Sequence, residues 1–150
     1  MMRIGHVHLK VRDLNRSARF YKEFLGMEER ERVGNHFIFL SGGDMHHEVA
    51  LQAVGENAPS PNRYDVGLFH TAFDVPDKKA LALAFKKLSD SDIPVLAVDH
   101  RISWAIYFND PDGNGLEIYW DTRDKNGGAH LWKGQDRALS ISILLSFLNE

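Results

Sequence analysis

The 150-residue sequence contains no cysteine. Disulfide bonds, thiolate metal sites and cysteine nucleophiles are therefore excluded together. Eight histidines are present, so we expect any metal ion to be held by imidazole and carboxylate groups. The missing cysteines leave the redox compartment open, because a reducing cytosol and an oxidising exterior both accommodate such a chain.

The sequence also lacks a long apolar run and a block of basic residues. No segment approaches the length of a membrane-spanning helix, and a net charge of −3 does not suggest a nucleic-acid-binding surface. The first residues enter a strand pattern directly, without an apolar signal segment. We therefore expect a soluble, cytoplasmic, globular protein with no membrane or nucleic-acid partner.

A repeat with a period of 64 residues organises the rest of the chain. The pattern His-x-x-x-x-Val-x-Asp occurs at residues 6–13 and again at residues 70–77. Each copy predicts a short strand, followed by an amphipathic helix that the aspartate caps. Alternation along the strand places His6 and His70 on the face opposite the valines. Because equivalent strands of two related modules run side by side, we expect these two histidines to lie close together.

Strand-like segments follow both predicted helices, and a strong hairpin signal, DPDGNG, separates the last two. The sequence therefore predicts an α+β fold of two modules, about 4–54 and 68–121, joined by a linker at 55–67. We expect residues 1–123 to form a single domain. Residues 124–150 form a C-terminal extension, predicted to be a loop followed by a helix over 137–148. Strands are predicted at 36–43, 47–54, 95–100, 103–110 and 115–121.

A carboxylate completes a predicted metal site with the two repeated histidines. Glu117 lies in the last strand, on the face opposite Leu116 and Ile118. Two imidazoles and one carboxylate form the facial triad that suits Fe(II) and leaves open positions for substrate and oxygen. His8 shares the face of His6 but has no counterpart in the second module. We therefore expect His8 to line the pocket rather than to bind the metal.

Three motifs carry a resemblance to a known superfamily. The segments GHVHLKVRDLNRSARFYKEFLGM, HTAFDV and DPDGNGLEIYW resemble signatures of the vicinal-oxygen-chelate superfamily over residues 4 to about 123. That superfamily includes glyoxalases, extradiol dioxygenases, fosfomycin-resistance transferases and bleomycin-binding proteins. The resemblance implies two βαβββ modules that form a curved mixed sheet around a metal-binding cup. It also places His6, His70 and Glu117 at the common ligand positions.

Other residues resemble one branch of the superfamily, the catechol 2,3-dioxygenase-like proteins. Glyoxalases usually carry a further acidic ligand on the last strand of the first module, where this chain has Leu51 or Gln52. The resemblance to the dioxygenases implies roles for three residues: His47 as a base for the substrate hydroxyl, His100 as a proton donor, and Tyr107 as a hydrogen-bond partner of the substrate. Many such dioxygenases have four modules, whereas this chain has two.

The resemblance implies an Fe(II)-dependent extradiol ring-cleaving dioxygenase that acts on a catechol-like aromatic diol with O2. Mn, Ni or Zn are the alternative metals, and we expect a homodimer. Two other functions stay open: a glyoxalase-like metal-dependent lyase or isomerase, and a non-catalytic small-molecule-binding protein of the resistance type. A shared fold does not choose among them.

Overall fold

The computed structural model describes residues 1–150, and these residues form two compact units. The first unit comprises residues 1–68 and 110–114, and the second comprises residues 69–109 and 115–150. Each unit contains a strand, a helix and three further strands in chain order. None of the helices is both long and apolar enough to cross a membrane.

The first unit is a four-stranded mixed sheet with one helix. Parallel pairing joins β1 to β4, and antiparallel pairing joins β4 to β3 and β3 to β2. The helix α1 begins after Asp13, whose side chain accepts a hydrogen bond from the backbone N–H of Arg16, and ends at Gly26 in the left-handed conformation. The elements are β1 (Val7–Val11), α1 (Leu14–Leu25), β2 (Glu28–Val33), β3 (Phe37–Ser41) and β4 (Val49–Ala53).

The buried carboxylate of Asp112, in an acidic turn, is hydrogen-bonded to Arg12 and to the start of α1. The Asp112 carboxylate accepts hydrogen bonds from Arg12 at 3.1 Å, Arg16 at 2.7 Å and the Ser17 hydroxyl at 3.2 Å. The Asp112 side chain is only 5% exposed, so these donors replace the water that a carboxylate would otherwise bind. The turn at residues 110–114 is therefore part of the first unit.

The second unit repeats this strand order and adds the C-terminal segment. Its sheet has the order β5, β8, β7, β6 and β9, with β5 and β8 parallel and the other pairs antiparallel. Asp77 caps its long helix by accepting from the backbone N–H of Ala80. The elements are β5 (Thr71–Asp74), α2 (Lys78–Asp90), β6 (Leu96–Asp99), β7 (Ser103–Asn109), β8 (Gly115–Asp121), β9 (Arg137–Ala138), α3 (Ile141–Ser146) and a 3-10 helix (Phe147–Asn149).

The predicted α+β class with two βαβββ modules is confirmed, and each module forms its own mixed sheet. The sequence does not predict β2. Its residues EERERV are almost all charged and exposed, so no alternation of apolar and polar side chains is visible. The single-domain assignment of residues 1–123 stays a prediction.

The C-terminal helix differs in its bounds from the helix predicted over 137–148. The helix begins at Ile141 instead of Arg137, because Arg137 and Ala138 form β9 against β6 and Ser140 then caps the helix. The helix ends at Ser146 and continues as the 3-10 helix. Leu144 is fully buried, and α3 packs against α2 of the same unit.

Candidate functional site

Neighbouring strands of the second sheet bring three of the predicted site residues together. Tyr107 of β7 is directly opposite Glu117 of β8 in the antiparallel register. Glu117 is in turn the partner of Ala72 on β5, and His70 lies just before that strand. Residues that pair across adjacent strands share one face of the sheet, so the three side chains meet there.

Short polar contacts link these side chains in series. His70 Nε2 lies 2.8 Å from Glu117 Oε2, and the Tyr107 hydroxyl donates to Glu117 Oε1 at 3.1 Å. His100 Nε2 lies 2.7 Å from the Tyr107 hydroxyl oxygen. Glu117 is only 8% exposed, so its charge depends on these partners for stabilisation.

The C-terminal segment adds two residues to this series of polar contacts, beyond His100. Asp136 Oδ1 is hydrogen-bonded to His100 Nδ1 and also accepts from the indole N–H of Trp132 at 2.8 Å. These two hydrogen bonds hold the pKa of the Asp136 carboxyl below its usual value. At the other end, burial and then the nearby Glu117 carboxylate raise the pKa of Tyr107, so its hydroxyl stays protonated.

A cavity of about 420 Å³ lies beside this chain, within the second unit. His70 and Tyr107 border it, and the rest of its lining is largely apolar. Its apolar walls include Phe69, Pro94, Leu96 and Leu116. Mostly apolar walls with a few convergent polar groups are typical of small-molecule sites, and this volume suits a single aromatic ring with substituents.

The other two predicted site residues lie together in the first unit. The rings of His6 and His47 have their centroids 4.6 Å apart. His46 Nδ1 lies 2.8 Å from His47 Nδ1, and its Nε2 lies 3.0 Å from Glu31 Oε2. Burial and the neighbouring His6 and His46 lower the pKa of His47, so the neutral imidazole is favoured. His8 is exposed, with its ring near Phe37.

The donor chemistry of His70 and Glu117 fits a divalent metal ion, because an imidazole nitrogen and a carboxylate oxygen converge with the carboxylate buried. The chain contains no group of three or more His, Cys, Asp or Glu side chains arranged to hold a metal. The structure therefore groups two of the three predicted ligands, while His6 lies with His47 in the first unit. The metal assignment of His6, His70 and Glu117 stays a prediction.

Sequence reasoning missed Asp136 and Trp132. Their position beside His100 depends on β9, which has only two residues and no detectable alternation of apolar and polar side chains. Trp132 and Asp136 are four positions apart in a glycine-containing loop, a spacing that carries no specific signal. Only the register of β9 against β6 reveals that they face His100.

Comparison with known proteins agrees with the fold. The model of the Glyoxalase/Bleomycin resistance protein/Dioxygenase superfamily matches residues 3–118. This match spans most of the chain, and the protein belongs to that superfamily.

Two curated relatives are named as dioxygenases of aromatic diols. The chain is 33% identical over 133 residues to catechol-2,3-dioxygenase of Bacillus subtilis (strain 168), covering 83% of this chain and 45% of the relative. It is 32% identical over 121 residues to biphenyl-2,3-diol 1,2-dioxygenase 3 of Rhodococcus globerulus, covering 79% and 63%. The chain thus spans about half to two thirds of the length of these relatives.

A further relative and a solved structure carry other names. The chain is 28% identical to the metallothiol transferase FosB of Staphylococcus saprophyticus, covering 79% of this chain and 77% of the relative. Among solved structures, the glyoxylase/bleomycin resistance protein/dioxygenase domain from Frankia sp. EAN1pec matches with a TM-score of 0.68 and 25% identity, over 81% of this chain and 98% of that domain. The comparisons therefore show the superfamily, and the relatives within it are named for different reactions.

Proposed function

We propose that this protein is a metal-dependent extradiol dioxygenase that opens the ring of a catechol-like aromatic diol with O2. The observation that carries the proposal is the series of short polar contacts from His70 through Glu117 and Tyr107 to His100, beside a largely apolar cavity. A ring-opening reaction needs both features: walls that hold a flat apolar ring, and groups that can move protons at its oxygens.

His70 and Glu117, with His6, would hold the metal, which we propose to be Fe(II), with Mn, Ni or Zn as alternatives. When bound, such an ion would lower the pKa of the diol hydroxyls and could bind both diol and O2. The short contact between His70 and Glu117 supports this assignment, because these donors already face each other. The hydrogen bond from Tyr107 to Glu117 would also orient the carboxylate, as partners of metal ligands commonly do.

Side chains that border the cavity would bind the diol, and further proposed residues would move its protons. Phe69 and Leu96 would contact the faces and edge of the ring and keep water away from it. The protonated Tyr107 hydroxyl would donate a hydrogen bond to a substrate oxygen. His100 would hold or deliver a proton at Nε2, the ring nitrogen that faces Tyr107. His47 is proposed as the base that takes the proton of a substrate hydroxyl.

A metal-dependent lyase or thiol transferase is the second candidate, because the relatives include a metallothiol transferase and a glutathione transferase. One feature of the chain favours ring cleavage over a lyase. The β4 strand reads VALQA and offers no carboxylate for the further acidic ligand that the resemblance associates with glyoxalases. A non-catalytic binding protein is the third candidate, and it would have no need of a proton relay beside the cavity.

Reconstitution with metal tests the proposal directly. The purified protein would be loaded without oxygen with Fe(II), Mn(II), Ni(II) or Zn(II) and then given a panel of catechols with O2. Oxygen uptake matched by coloured ring-opened product, with Fe(II) or Mn(II) only, is the expected result. Turnover of a glutathione hemithioacetal with Ni(II) or Zn(II), or of fosfomycin with a thiol, would instead identify the second candidate. Tight binding of aromatic compounds without turnover would identify the third.

We also propose that the protein acts as a cytoplasmic homodimer, with residues 1–123 as its catalytic domain. Size-exclusion chromatography with light scattering tests the dimer: a mass near twice the 17.1 kDa of the chain supports it, and a monomer mass contradicts it.

A further inference from the structure

We infer that Asp136, in the C-terminal segment, is a positioning residue that fixes the tautomer of His100 and thereby the direction of hydrogen bonding through Tyr107. The consequence for turnover rests on the proposed function, whereas the tautomer itself is a property of the chain that can be measured without any substrate.

Strand pairing brings Asp136 to His100. Antiparallel pairing of β9 with β6 places Arg137 opposite Asp99 and Ala138 opposite Val98. The next pair in this register is Asp136 with His100, just beyond the ends of the two strands. A tight loop precedes β9, in which the backbone N–H of Gln135 donates to the carbonyl of Trp132 at 3.1 Å. The loop thus presents an indole and a carboxylate to the same imidazole.

Hydrogen bonds also hold the backbone of His100 and of the next residue, Arg101. The His100 N–H donates to the Ser103 carbonyl at 2.9 Å, and the next residue, Arg101, has a left-handed φ of 69°. The Arg101 N–H donates to the Asp99 carboxylate at 2.7 Å, and its carbonyl accepts from the N–H of Ala129 at 2.7 Å. A left-handed conformation in a non-glycine residue persists only where its surroundings impose it. The imidazole of His100 is therefore carried on a constrained turn.

Hydrogen-bond accounting assigns the proton on His100. An ionised carboxylate can only accept, and the hydrogen bonds to Asp136 favour its ionised form. His100 Nδ1 must therefore carry the hydrogen that is donated to Asp136. In the neutral ring Nε2 then has a lone pair, which can accept from the Tyr107 hydroxyl 2.7 Å away. Because this hydroxyl has one proton, His100 Nε2 and Glu117 Oε1, the latter 3.1 Å away, compete for it.

Without Asp136, the direction of the hydrogen bonds from His100 through Tyr107 to Glu117 would reverse. Nδ1 would lose its acceptor, and a proton on Nε2 could be donated to the Tyr107 oxygen. The Tyr107 hydroxyl would then donate to the Glu117 carboxylate, whose Oε1 is 3.1 Å away. Hydrogen bonds to an ionised carboxylate are the stronger kind, so this reversed direction is favoured once Asp136 is removed. The carboxylate of Asp136 thus favours donation of the Tyr107 proton to His100 over donation to Glu117.

The direction of these bonds decides what His100 can do through Tyr107, which borders the cavity. With Nδ1–H donated to Asp136, Nε2 can take a proton, and the carboxylate stabilises the positive ring that results. The same proton can later be returned from Nε2 to a product oxygen, so no net charge is gained. In the reversed arrangement Nε2 already carries a hydrogen and has no lone pair to accept another. Asp136 would therefore act through His100, without touching the substrate.

Nitrogen NMR of the full chain with labelled histidine tests the tautomer. The spectra would be recorded without added metal and with diamagnetic Zn²⁺, at a pH where the ring is neutral. We expect the Nδ1–H form of His100 in the wild type and the Nε2–H form in Asp136→Ala. An Nε2–H form in the wild type, or an unchanged tautomer in Asp136→Ala, would overturn the inference. The wild-type spectrum is informative even if the variant does not fold.

Kinetics test the consequence for turnover. Proton transfer by a positioned side chain commonly contributes about 10²–10⁴-fold, so loss of its positioning is expected to lower kcat about 10–100-fold in Asp136→Ala. KM should change much less, because Asp136 does not border the cavity. Asp124→Ala, an exposed acidic residue of the same segment, is the matched control and should leave both constants unchanged.

The two proposals fail in different ways. If no variant or wild-type protein turns over a diol while the tautomer follows Asp136, the proposed reaction is wrong and the positioning of His100 is retained. If diols are cleaved but Asp136→Ala matches the wild type in kcat and tautomer, the inference is wrong and the proposed reaction is retained.

Discussion

Replacing Tyr107 by phenylalanine removes a single hydroxyl from the middle of the hydrogen-bond chain. That hydroxyl lies between His100 Nε2 at 2.7 Å and Glu117 Oε1 at 3.1 Å, and the ring itself would keep its packing. Both neighbours retain another partner, since Glu117 still contacts His70 and His100 still contacts Asp136. The substitution therefore shortens the chain without leaving either neighbour wholly unpaired.

The expected loss of stability follows from this count. A typical net hydrogen bond contributes about 1 kcal/mol, and one to a charged group about 1.5–3 kcal/mol. The Tyr107 hydroxyl has only one proton to donate and is half-buried, so we expect Tyr107→Phe to cost about 1–2 kcal/mol of unfolding free energy. If the proposed function is correct, kcat should also fall by about 10–100-fold, because proton transfer at the diol loses one of its partners.

Urea unfolding followed by tryptophan fluorescence measures this loss of unfolding free energy in the second unit. All three tryptophans lie in the second unit, so their emission reports the unit that contains Tyr107. Tyr119→Phe is the matched control, because Tyr119 is on the same face of the neighbouring strand and should change stability by about 0.5 kcal/mol or less. Equal midpoints for the two variants at equal slopes would refute the claim that the Tyr107 hydroxyl links His100 to Glu117.

Three further predictions concern other parts of the structure. Asp112→Ala leaves its arginine partners without their shared carboxylate and should lower the stability of the first unit by about 1–3 kcal/mol; urea unfolding followed by circular dichroism measures it, and a loss no larger than that of an exposed Asp44→Ala control would contradict the arrangement. Gly115→Ala would place a Cβ atom 2.4 Å from the Phe69 carbonyl oxygen; we expect a cost of about 1–3 kcal/mol in thermal unfolding, against none for Gly67→Ala, and equal melting temperatures would contradict the close approach. Glu117→Gln keeps the volume but removes an anionic donor, so calorimetric Zn²⁺ affinity should fall by more than about 100-fold, beyond the effect of residues that only support a ligand; unchanged affinity would remove Glu117 from the metal site.

The repeat and its alternation made most of the fold predictable. The repeat predicted equivalent positions for His6 and His70 within the first strand of each module, and the structure has each one residue before that strand. The capping aspartates mark the starts of both long helices. The turn DPDGNG correctly predicted the hairpin of β7 and β8, whose register sets Tyr107 opposite Glu117. These features are local, so the neighbouring residues alone determine them.

Two parts of the structure escaped prediction because their determinants are not local. The edge strand β2 is solvated along nearly all its length, so burial leaves no pattern in its sequence. The contact of Asp136 with His100 joins residues 36 positions apart through a strand of only two residues. A pairing of that kind becomes visible only when the strands have been placed side by side.

Cleavage of a catechol in isotopically labelled O2 by the Fe(II)-loaded protein tests the central claim most directly. If the protein is an extradiol dioxygenase, mass spectrometry will find both labelled oxygen atoms in a product whose ring opened beside, and not between, the two hydroxyl carbons. His70→Ala should yield no such product, because it removes a proposed ligand. Unaltered catechols in the presence of bound iron and oxygen, or a ring-opened product without the label, would contradict the proposed function.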